Sequence, residues 1–349
     1  MNTAPLIDEQ TEQHLRDFFG QRLQRTVDVM LYSGQENAEA VDFTRRFLRE
    51  LAALADRIAL SERPLGDAER GRGLVSPSLV LGADLGYAIE VHGAPSGHEA
   101  GALVETLGLI GAGDSELSAD SRAKLAAVDK AVLLYSFVTP TCPHCPGSVL
   151  QNHKIAIEAR GRVRSVAVSA AENRELAQRF RVSSVPQQVI NEDPASSTLG
   201  RQPEGSFVDQ VLRYGASDAE TVLAATAARA AERTRLDERP TAPLAITDEN
   251  FAAAVAKYPF LVVDCWAEWC GPCRMVGPVV EALAAEQAGR MVFGKLDTEA
   301  NREVPATYDI RSIPTLLVFR DGELVDRLVG AMPEAALLAR LESLLSAEA

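Results

Sequence analysis

Residues 260–273 read Phe260-Leu261-Val262-Val263-Asp264-Cys265-Trp266-Ala267-Glu268-Trp269-Cys270-Gly271-Pro272-Cys273. The apolar run that begins the segment is too short for a free-standing helix and predicts a buried strand. A loop follows, and the two final cysteines begin a helical pattern. Free backbone N–H groups at a helix N-terminus stabilise a thiolate, and a cysteine three residues later lies one turn away. The segment therefore predicts a reversible dithiol–disulfide pair, with Asp264 as a buried carboxyl of raised pKa that moves a proton for Cys273.

A second segment has the same organisation. Residues 131–137 form a mostly apolar run, and the loop after them ends in Cys142-Pro143-His144-Cys145. Pro186 follows Cys142 by 44 residues, Pro314 follows Cys270 by 44 residues, and each proline precedes a further apolar run. This equal spacing indicates two copies of one fold in which strands and helices alternate as βαβ units.

A fainter third copy lies in the first 120 residues. A strand pattern at 27–32 is followed by a helical pattern, and Ser76-Pro77-Ser78 precedes an apolar run at 79–81. Where the other copies carry cysteines, this one reads Gly34-Gln35-Glu36-Asn37-Ala38. We therefore expect an α/β chain with a redox-inactive unit (1–121), a unit with the first cysteine pair (122–217), a helical connector (218–243) and a third unit (244–349).

The composition limits the possible functions. Among 349 residues, 35 are Lys or Arg and 49 are Asp or Glu, and the resulting net charge of −14 disfavours partners such as nucleic acid or an anionic membrane. No apolar run approaches the roughly 20 residues of a membrane span. The first ten residues lack the pattern of a signal peptide, so we expect a cytosolic protein.

Five cysteines are too few for a disulfide scaffold. The two Cys-x-x-Cys pairs lie 125 residues apart, far beyond the roughly 15–20 residues of a zinc ribbon, so we expect no metal site. Cys265 lies in a predicted strand and is interpreted as a core residue. The glycines of residues 108–113 hint at a dinucleotide loop, but they follow a helical pattern rather than a strand, so we predict an ordinary loop and no bound cofactor. His98 and Glu99 are interpreted as a helix start rather than as catalytic residues.

Several motifs within residues 244–349 belong together: Val263-Asp264, Trp266-Ala267-Glu268-Trp269-Cys270-Gly271-Pro272-Cys273-Arg274, Pro278, Lys295-Leu296-Asp297, Ile313-Pro314-Thr315, Gly322 and Gly330. This part of the chain closely resembles thioredoxin. The resemblance implies that Cys270 attacks a substrate disulfide and that Cys273 resolves the mixed disulfide. It also implies that Asp264 assists proton transfer together with Lys295, within an active-site loop shaped by Trp269, Gly271 and Pro272. Pro314 is then expected to be cis, and the backbone of Ile313 to pair with an extended substrate.

Three further motifs lie within residues 1–215. They are Thr139-Pro140-Thr141-Cys142-Pro143-His144-Cys145-Pro146, Val185-Pro186 and Gly93-Ala94-Pro95-Ser96-Gly97-His98-Glu99. The third motif carries a weaker resemblance than the first two. This region resembles the tandem protein disulfide oxidoreductase of archaea and thermophiles and the N-terminal domain of the alkyl hydroperoxide reductase flavoprotein. The resemblance implies an attacking Cys142, a resolving Cys145 and a cis Pro186 beside Val185. Ser136 takes the place of Asp264, so the group that receives the proton there remains unidentified.

His144 distinguishes the two centres. A protonated imidazole between the cysteines lowers the pKa of the Cys142 thiol and the stability of its disulfide. Cys-Pro-His-Cys, with Pro143, resembles oxidising disulfide oxidases, whereas Cys-Gly-Pro-Cys resembles reducing thioredoxins. We therefore expect electrons to pass from Cys270/Cys273 to Cys142/Cys145.

These observations predict a cytosolic protein-disulfide reductase with two redox-active disulfides and an internal relay. The resemblance implies a flavin-dependent thioredoxin reductase as electron donor and disulfide-containing proteins, such as a peroxiredoxin, as acceptors. Two alternatives stay open: a disulfide oxidase or isomerase, and a client-binding chaperone or adaptor that uses the cis-proline surfaces. Measured redox potentials distinguish the first alternative, and a variant lacking all four active-site cysteines distinguishes the second.

Overall fold

A computed structural model describes residues 5–346, except for the side chain of Arg233. The outermost residues of the first and third predicted units, 1–4 and 347–349, lie outside this range. The chain divides into two compact units, one through Thr226 and one from Ala227 onward. The division falls inside a helix in the predicted connector, and the unit boundaries proposed from the sequence stay predictions.

The first unit contains one mixed sheet with helices packed on it. Its strands are β1 (Val27–Ser33), β2 (Ile58–Pro64), β3 (Ser78–Leu81), β4 (Ala88–His92), β5 (Val132–Val138), β6 (Val163–Ser169), β7 (Gln187–Ile190) and β8 (Thr198–Leu199). Its helices are α1 (Glu9–Arg22), α2 (Ala38–Leu54), α3 (Asp67–Gly71), α4 (His98–Ala112), α5 (Ala119–Leu125), α6 (Cys145–Ala159), α7 (Arg174–Arg179), α8 (Glu204–Gly215) and the start of α9 (Ala219–Arg233).

Two similar halves share this sheet, whose strand order is β2-β1-β3-β4-β6-β5-β7-β8. In the first half β1 pairs with β2 in parallel and with β3 antiparallel, and in the second half β5 pairs with β6 in parallel and with β7 antiparallel. The halves meet where β4 pairs with β6 in parallel. The cysteine-free half is therefore continuous with the half that carries Cys142.

Helix α4 corrects the loop predicted at residues 108–113. The helix continues to Ala112, and Gly113 ends it in the left-handed conformation. A Cβ on Gly108 would lie 2.7 Å from the Phe18 ring, and a Cβ on Gly111 would lie 2.3 Å from the Leu23 side chain. These glycines allow α1 and the residue after it to pack closely on α4, which gives the glycine pattern a packing role.

The second unit repeats the same arrangement. Its strands are β9 (Leu244–Ile246), β10 (Phe260–Trp266), β11 (Val292–Asp297), β12 (Thr315–Arg320) and β13 (Glu323–Val329), in the order β13-β12-β10-β11-β9. Its helices are α10 (Phe251–Lys257), α11 (Cys273–Glu286), α12 (Glu303–Thr307) and α13 (Glu334–Ser346). Strand β10 pairs with β11 in parallel and with β12 antiparallel, as β5 does with β6 and β7.

Alternate residues of β10 face two different apolar clusters. Val263 and Cys265 pack with Phe251 of α10, whereas Val262 packs with Val280 of α11. Because side chains alternate along a strand, Asp264 lies on the same face as Val262, beneath α11. Cys265 is fully buried, and burial raises the pKa of its thiol to about 12, which confirms its interpretation as a core residue.

Among residues 5–346, no helix combines the length and the apolar character that crossing a membrane requires.

Candidate active sites

Cys270 and Cys273 form a disulfide in the structure, with their Cα atoms 5.3 Å apart. Pro272 is the N-cap of α11, and Cys273 is the first helical residue. The backbone N–H of Cys273 donates to Sγ of Cys270 at 3.1 Å. Both cysteines are buried against Ala267, with Trp266 and Ile313 packed beside them. This arrangement provides one donor for a Cys270 thiolate once the disulfide is reduced.

Proline residues adopt cis peptides at corresponding places in all three copies. The Ile313–Pro314 and Val185–Pro186 bonds are cis, as the sequence predicts, and the Ser76–Pro77 bond of the cysteine-free half is cis as well. Ile313 packs against Cys270 and Cys273, and Val185 packs against Cys142 and Cys145. Each dithiol therefore faces the residue before a cis proline.

Asp264 is fully buried, and neither of its carboxylate oxygens has a hydrogen-bond partner among the described residues. Burial raises the pKa of Asp264 to about 6, and the positive charge of Lys295 opposes the increase. Nζ of Lys295 lies 3.4 Å from Oε1 of Glu281 and 5.0 Å from the centroid of the Trp266 ring. Asp264 is thus an isolated buried carboxyl, influenced by Lys295 through its charge.

Cys142 and Cys145 are buried free thiols. Sγ of Cys142 lies 3.8 Å from the carbonyl oxygen of Val185. Cys145 is the first residue of α6, and burial, followed by its hydrogen bond with Cys142, raises the pKa of its thiol. His144 occupies the N-cap position of α6 and is exposed. Its predicted effect on Cys142 stays a prediction.

A neutral network replaces the buried carboxyl beneath this second dithiol. Ser136 occupies the position in β5 that Asp264 occupies in β10, six residues before the first cysteine. The Nδ2 group of Asn152 donates to Oγ of Ser136 at 2.8 Å, and the Nε2 group of Gln188 donates to Oδ1 of Asn152 at 2.9 Å. None of these three side chains titrates near neutral pH, so none provides a carboxylate-like proton acceptor there.

The cysteine-free half supplies a carboxyl instead. Glu99, in the first turn of α4, is buried, and its Oε1 atom has no hydrogen-bond partner within the described chain. Burial raises the pKa of Glu99 to about 7, and its negative charge contributes to the raised pKa of Cys145. Glu99 also lines a small cavity with Val138 and Ala167, and these two residues pack against the thiols.

The sequence predicts only a helix start at Glu99 and gives no sign of this position beside the thiols. A signal for burial is present, because α4 is strongly apolar after its first turn and an acidic residue on such a helix is easily buried. The sequence does not show that β4 pairs with β6, and this pairing brings α4 against α6.

The start of α4 is fixed to the loop that precedes Cys142. The N–H of His98 donates to the carbonyl oxygen of Pro140 at 3.0 Å. Gly97 has a φ of +58°, and a Cβ there would lie 2.3 Å from the same Pro140 oxygen. Only glycine fits this close approach, which holds Glu99 near the second dithiol.

The position of a dithiol in the first half is filled by polar groups. Nδ2 of Asn37 donates to the carbonyl oxygen of Ser76 at 2.9 Å, and the N–H of Gly34 donates to Oγ of Ser76 at 2.9 Å. Asn37 precedes α2 as its N-cap. The carbonyl group of Ser76, before the cis Pro77, therefore already accepts a hydrogen bond from Asn37 of the same half.

Three histidines without an identified role in the sequence have hydrogen-bond partners in the structure. His92 bonds to Glu90, His153 to Thr106, and His14 to the carbonyl oxygen of Gln10. None of them contacts either dithiol in the described structure.

Comparisons with known proteins agree with this geometry. The family model described as Thioredoxin matches residues 242–343, and the model described as Thioredoxin domain matches residues 135–213. Thioredoxin from Mycobacterium tuberculosis is 46% identical over 107 residues, which are 30% of this chain and 91% of that protein.

Two solved structures are similar over a larger part of the chain. The alkylhydroperoxide reductase AhpF from Enterococcus faecalis matches with a TM-score of 0.52 and 25% identity, covering 58% of this chain and 98% of that one. A protein disulfide oxidoreductase from Aeropyrum pernix matches with a TM-score of 0.54 and 25% identity, covering 60% of this chain and 93% of that one. These shares are too large for the second unit alone, so the similarity includes the unit with Glu99 and Cys142.

Proposed function

The chain belongs to the thioredoxin family and is a thiol–disulfide oxidoreductase, and on this premise we propose that it is a protein-disulfide reductase that relays electrons between two dithiols. The observation that carries the proposal is the presence of two buried Cys-x-x-Cys pairs in one chain, each at a helix start and facing a cis proline. Both fit the same chemistry.

Each centre would act in two exchange steps. A thiolate of Cys270 attacks a substrate disulfide, a mixed disulfide forms, and one substrate thiolate leaves. Cys273 loses its proton and attacks Sγ of Cys270, which releases the second substrate thiolate and forms the Cys270–Cys273 disulfide. Two electrons and two protons pass to the substrate. Asp264 is the proposed acceptor for the Cys273 proton, since burial holds its pKa near 6.

At the second centre Cys142 is the proposed attacking thiol and Cys145 the resolving thiol. Glu99 is the proposed acceptor for the Cys145 proton, because it is the buried carboxyl whose charge acts on that thiol. This assignment gives the cysteine-free half a role in the reaction. It also explains how a centre with Ser136 in place of an aspartate deprotonates its resolving thiol.

The proposed direction of electron flow is from Cys270/Cys273 to Cys142/Cys145 and then to protein disulfides. A flavin-dependent thioredoxin reductase is the proposed donor, because the second unit matches thioredoxin over nearly the whole of that protein. The likeness to the alkylhydroperoxide reductase AhpF supports a peroxiredoxin as one acceptor. The proposed compartment is the cytosol.

The test follows reduction of the Cys142–Cys145 disulfide in the full-length protein supplied with thioredoxin reductase and NADPH. We expect Cys270→Ser to abolish this reduction or slow it at least about 100-fold, because Cys270 makes the first exchange. Cys265→Ala is the matched control, since it removes a cysteine that takes no part in the relay. An unchanged rate in Cys270→Ser would overturn the relay.

A further inference from the structure

The loops beside the two dithiols can be matched residue by residue. In the second unit, Val329 pairs with Thr315, the residue after the cis Pro314, and the N–H of Gly330 donates to the Pro314 carbonyl at 2.8 Å. In the first unit, Leu199 pairs with Gln187, the residue after the cis Pro186. The N–H of Gly200 donates to the Pro186 carbonyl at 2.9 Å. Leu199 and Val329 are therefore equivalent, as are Gly200 and Gly330.

The next residue differs in charge. Arg201 follows Gly200, whereas Ala331 follows Gly330. A second difference lies opposite it, at the third residue of the helix that begins with the resolving cysteine. Gly147 holds this position in α6, and Met275, with 63% of its surface exposed, holds it in α11.

In the first unit, the absence of a side chain at Gly147 leaves room for the side chain of Arg201. A Cβ on Gly147 would lie 3.1 Å from Cδ of Arg201, so the Arg201 side chain lies across the first turn of α6. The loop is held there because Nε2 of Gln151 donates to the carbonyl oxygen of Gln202 at 2.9 Å. The second dithiol thus has a guanidinium on the side where the Cys270 dithiol has an exposed thioether.

The charge of Arg201 is available to a partner. Arg201 is exposed and forms no ion pair within the described part of the chain. The carboxylate nearest to it in the sequence, Glu204, accepts instead from the N–H of Ser118 at 3.0 Å. The Cys270 centre also has a cation, Arg274, but that residue takes the place of Pro146, and its guanidinium donates to the carbonyl oxygen of Glu268.

We propose that the Arg201–Leu199 surface makes the Cys142–Cys145 centre selective for disulfide-bearing polypeptide segments with an acidic residue next to the disulfide. This inference rests on the proposed reductase function and specifies its substrate class. Charge complementarity carries it, because an exposed cation at the edge of a site favours an anionic partner and disfavours a cationic one. At the Cys270 centre the corresponding surface is apolar, since Met275 and Trp269 are exposed there.

The test uses one turnover of the Cys142–Cys145 centre. Full-length protein carrying Cys270→Ser and Cys273→Ser is reduced with dithiothreitol and freed of it, and its Cys142–Cys145 dithiol then reduces an excess of a synthetic peptide disulfide. Two electrons and two protons move from the dithiol to the peptide, giving the Cys142–Cys145 disulfide and two peptide thiols. Matched peptides carry Glu, Gln, Lys or Leu beside the cysteine. Each rate is divided by the rate at which dithiothreitol reduces the same peptide. This ratio corrects for differences in the intrinsic reactivity of the peptide disulfides.

We expect the Glu peptide to react about five-fold faster than the Lys peptide at low salt, in line with the strength of exposed ion pairs, and the difference to shrink at high salt. Arg201→Ala should reduce the difference to less than about two-fold. Arg213→Ala, which removes the same charge from α8, is the control and should leave the preference intact. Gly147→Met with Arg201→Ala reproduces the pair found in the second unit and should favour the Leu peptide.

Three results would overturn the inference. Equal normalised rates for Glu and Lys peptides would show that the surface does not select charge. An equal loss of preference in Arg201→Ala and Arg213→Ala would assign the effect to net charge rather than to this surface. If the reduced protein reduces none of the peptides, the proposed reductase function fails at this centre, and the inference fails with it.

Discussion

At the scale of single residues, each centre has a buried carboxyl near its dithiol, and the two carboxyls come from different places in the fold. Asp264 lies on the strand before its own dithiol, whereas Glu99 comes from the half of the unit that has no cysteine. Both are buried acids, and among the described residues both oxygens of Asp264 and Oε1 of Glu99 have no hydrogen-bond partner. Burial raises the pKa of each carboxyl. Such groups cost stability when ionised, which indicates that they are kept for chemistry.

For Asp264 this cost predicts a pH-dependent gain in stability on substitution. Its pKa is raised from 3.8 to about 6 by burial, so the folded protein holds the proton more tightly and loses stability as pH rises from about 4 to 6. Relative to the wild type, Asp264→Asn should gain about 2 kcal/mol of unfolding free energy between pH 4 and pH 7. Urea denaturation of the oxidised full-length protein checks this by fluorescence, because the only two tryptophans, Trp266 and Trp269, lie in the second unit. A difference that does not change with pH would contradict it.

Glu99→Gln should slow oxidation of the Cys142–Cys145 dithiol by a peptide disulfide. The carboxylate forms as pH rises through about 7, so the wild-type rate should increase there, and the variant should lack that increase. Loss of a general base costs about 100-fold or more in the step that it assists. Stopped-flow rates between pH 5 and 9 measure the effect, with Glu105→Gln on the same helix as the control. A variant that keeps the inflection near pH 7 would exclude Glu99 as the acceptor.

At the scale of elements, the sequence predicted the repeated fold but not the contacts between its copies. The fold prediction of three tandem thioredoxin-like arrangements is confirmed, because spacing to the prolines and buried apolar runs are local signals. The loop predicted at the glycines of α4 is wrong, because Gly108 and Gly111 lie within the helix. They leave room for Phe18 and Leu23, which are more than 80 residues away in the chain. Glu99 was missed for the same reason: its burial depends on strand pairing between halves.

Helix α4 also provides a test of how the cysteine-free half supports the second dithiol. Gly97→Ala should destabilise the first unit by about 2 kcal/mol or more, because a Cβ at φ +58° would lie 2.3 Å from the Pro140 carbonyl oxygen. It should also slow the reactions of Cys142. Gly101→Ala is the matched control, since a Cβ there meets nothing within 4 Å and alanine favours a helix. Far-UV circular dichroism follows both units and tryptophan fluorescence follows only the second, so a circular dichroism transition without a change in fluorescence reports the first unit. Equal effects of the two substitutions would contradict the docking role of Gly97.

At the scale of the whole molecule, the question is why two dithiols occur in one chain. A covalent connection makes the encounter between them unimolecular, with an effective concentration in the millimolar range for a short flexible linker. A relay therefore gains in rate from the connection, whereas two independent reductases gain nothing from it. In each centre, the two cysteines and the proposed proton acceptor belong to the same unit. Sequence and structure therefore predict the same organisation, with one dithiol centre in each unit.

Complementary variants distinguish a relay within one chain from two independent reductases. One full-length protein carries Cys142→Ser and Cys145→Ser, the other Cys270→Ser and Cys273→Ser, and the first is reduced before mixing with the oxidised second. Transfer between them at about 1 μM should be proportional to concentration and about 100- to 1,000-fold slower than transfer within the intact chain, which should be independent of concentration. Quenching by acid and alkylation of the free thiols, followed by mass spectrometry, measures both rates. Equal rates at about 1 μM would mean that the covalent connection does not serve electron transfer, and the relay would then be an exchange between separate molecules.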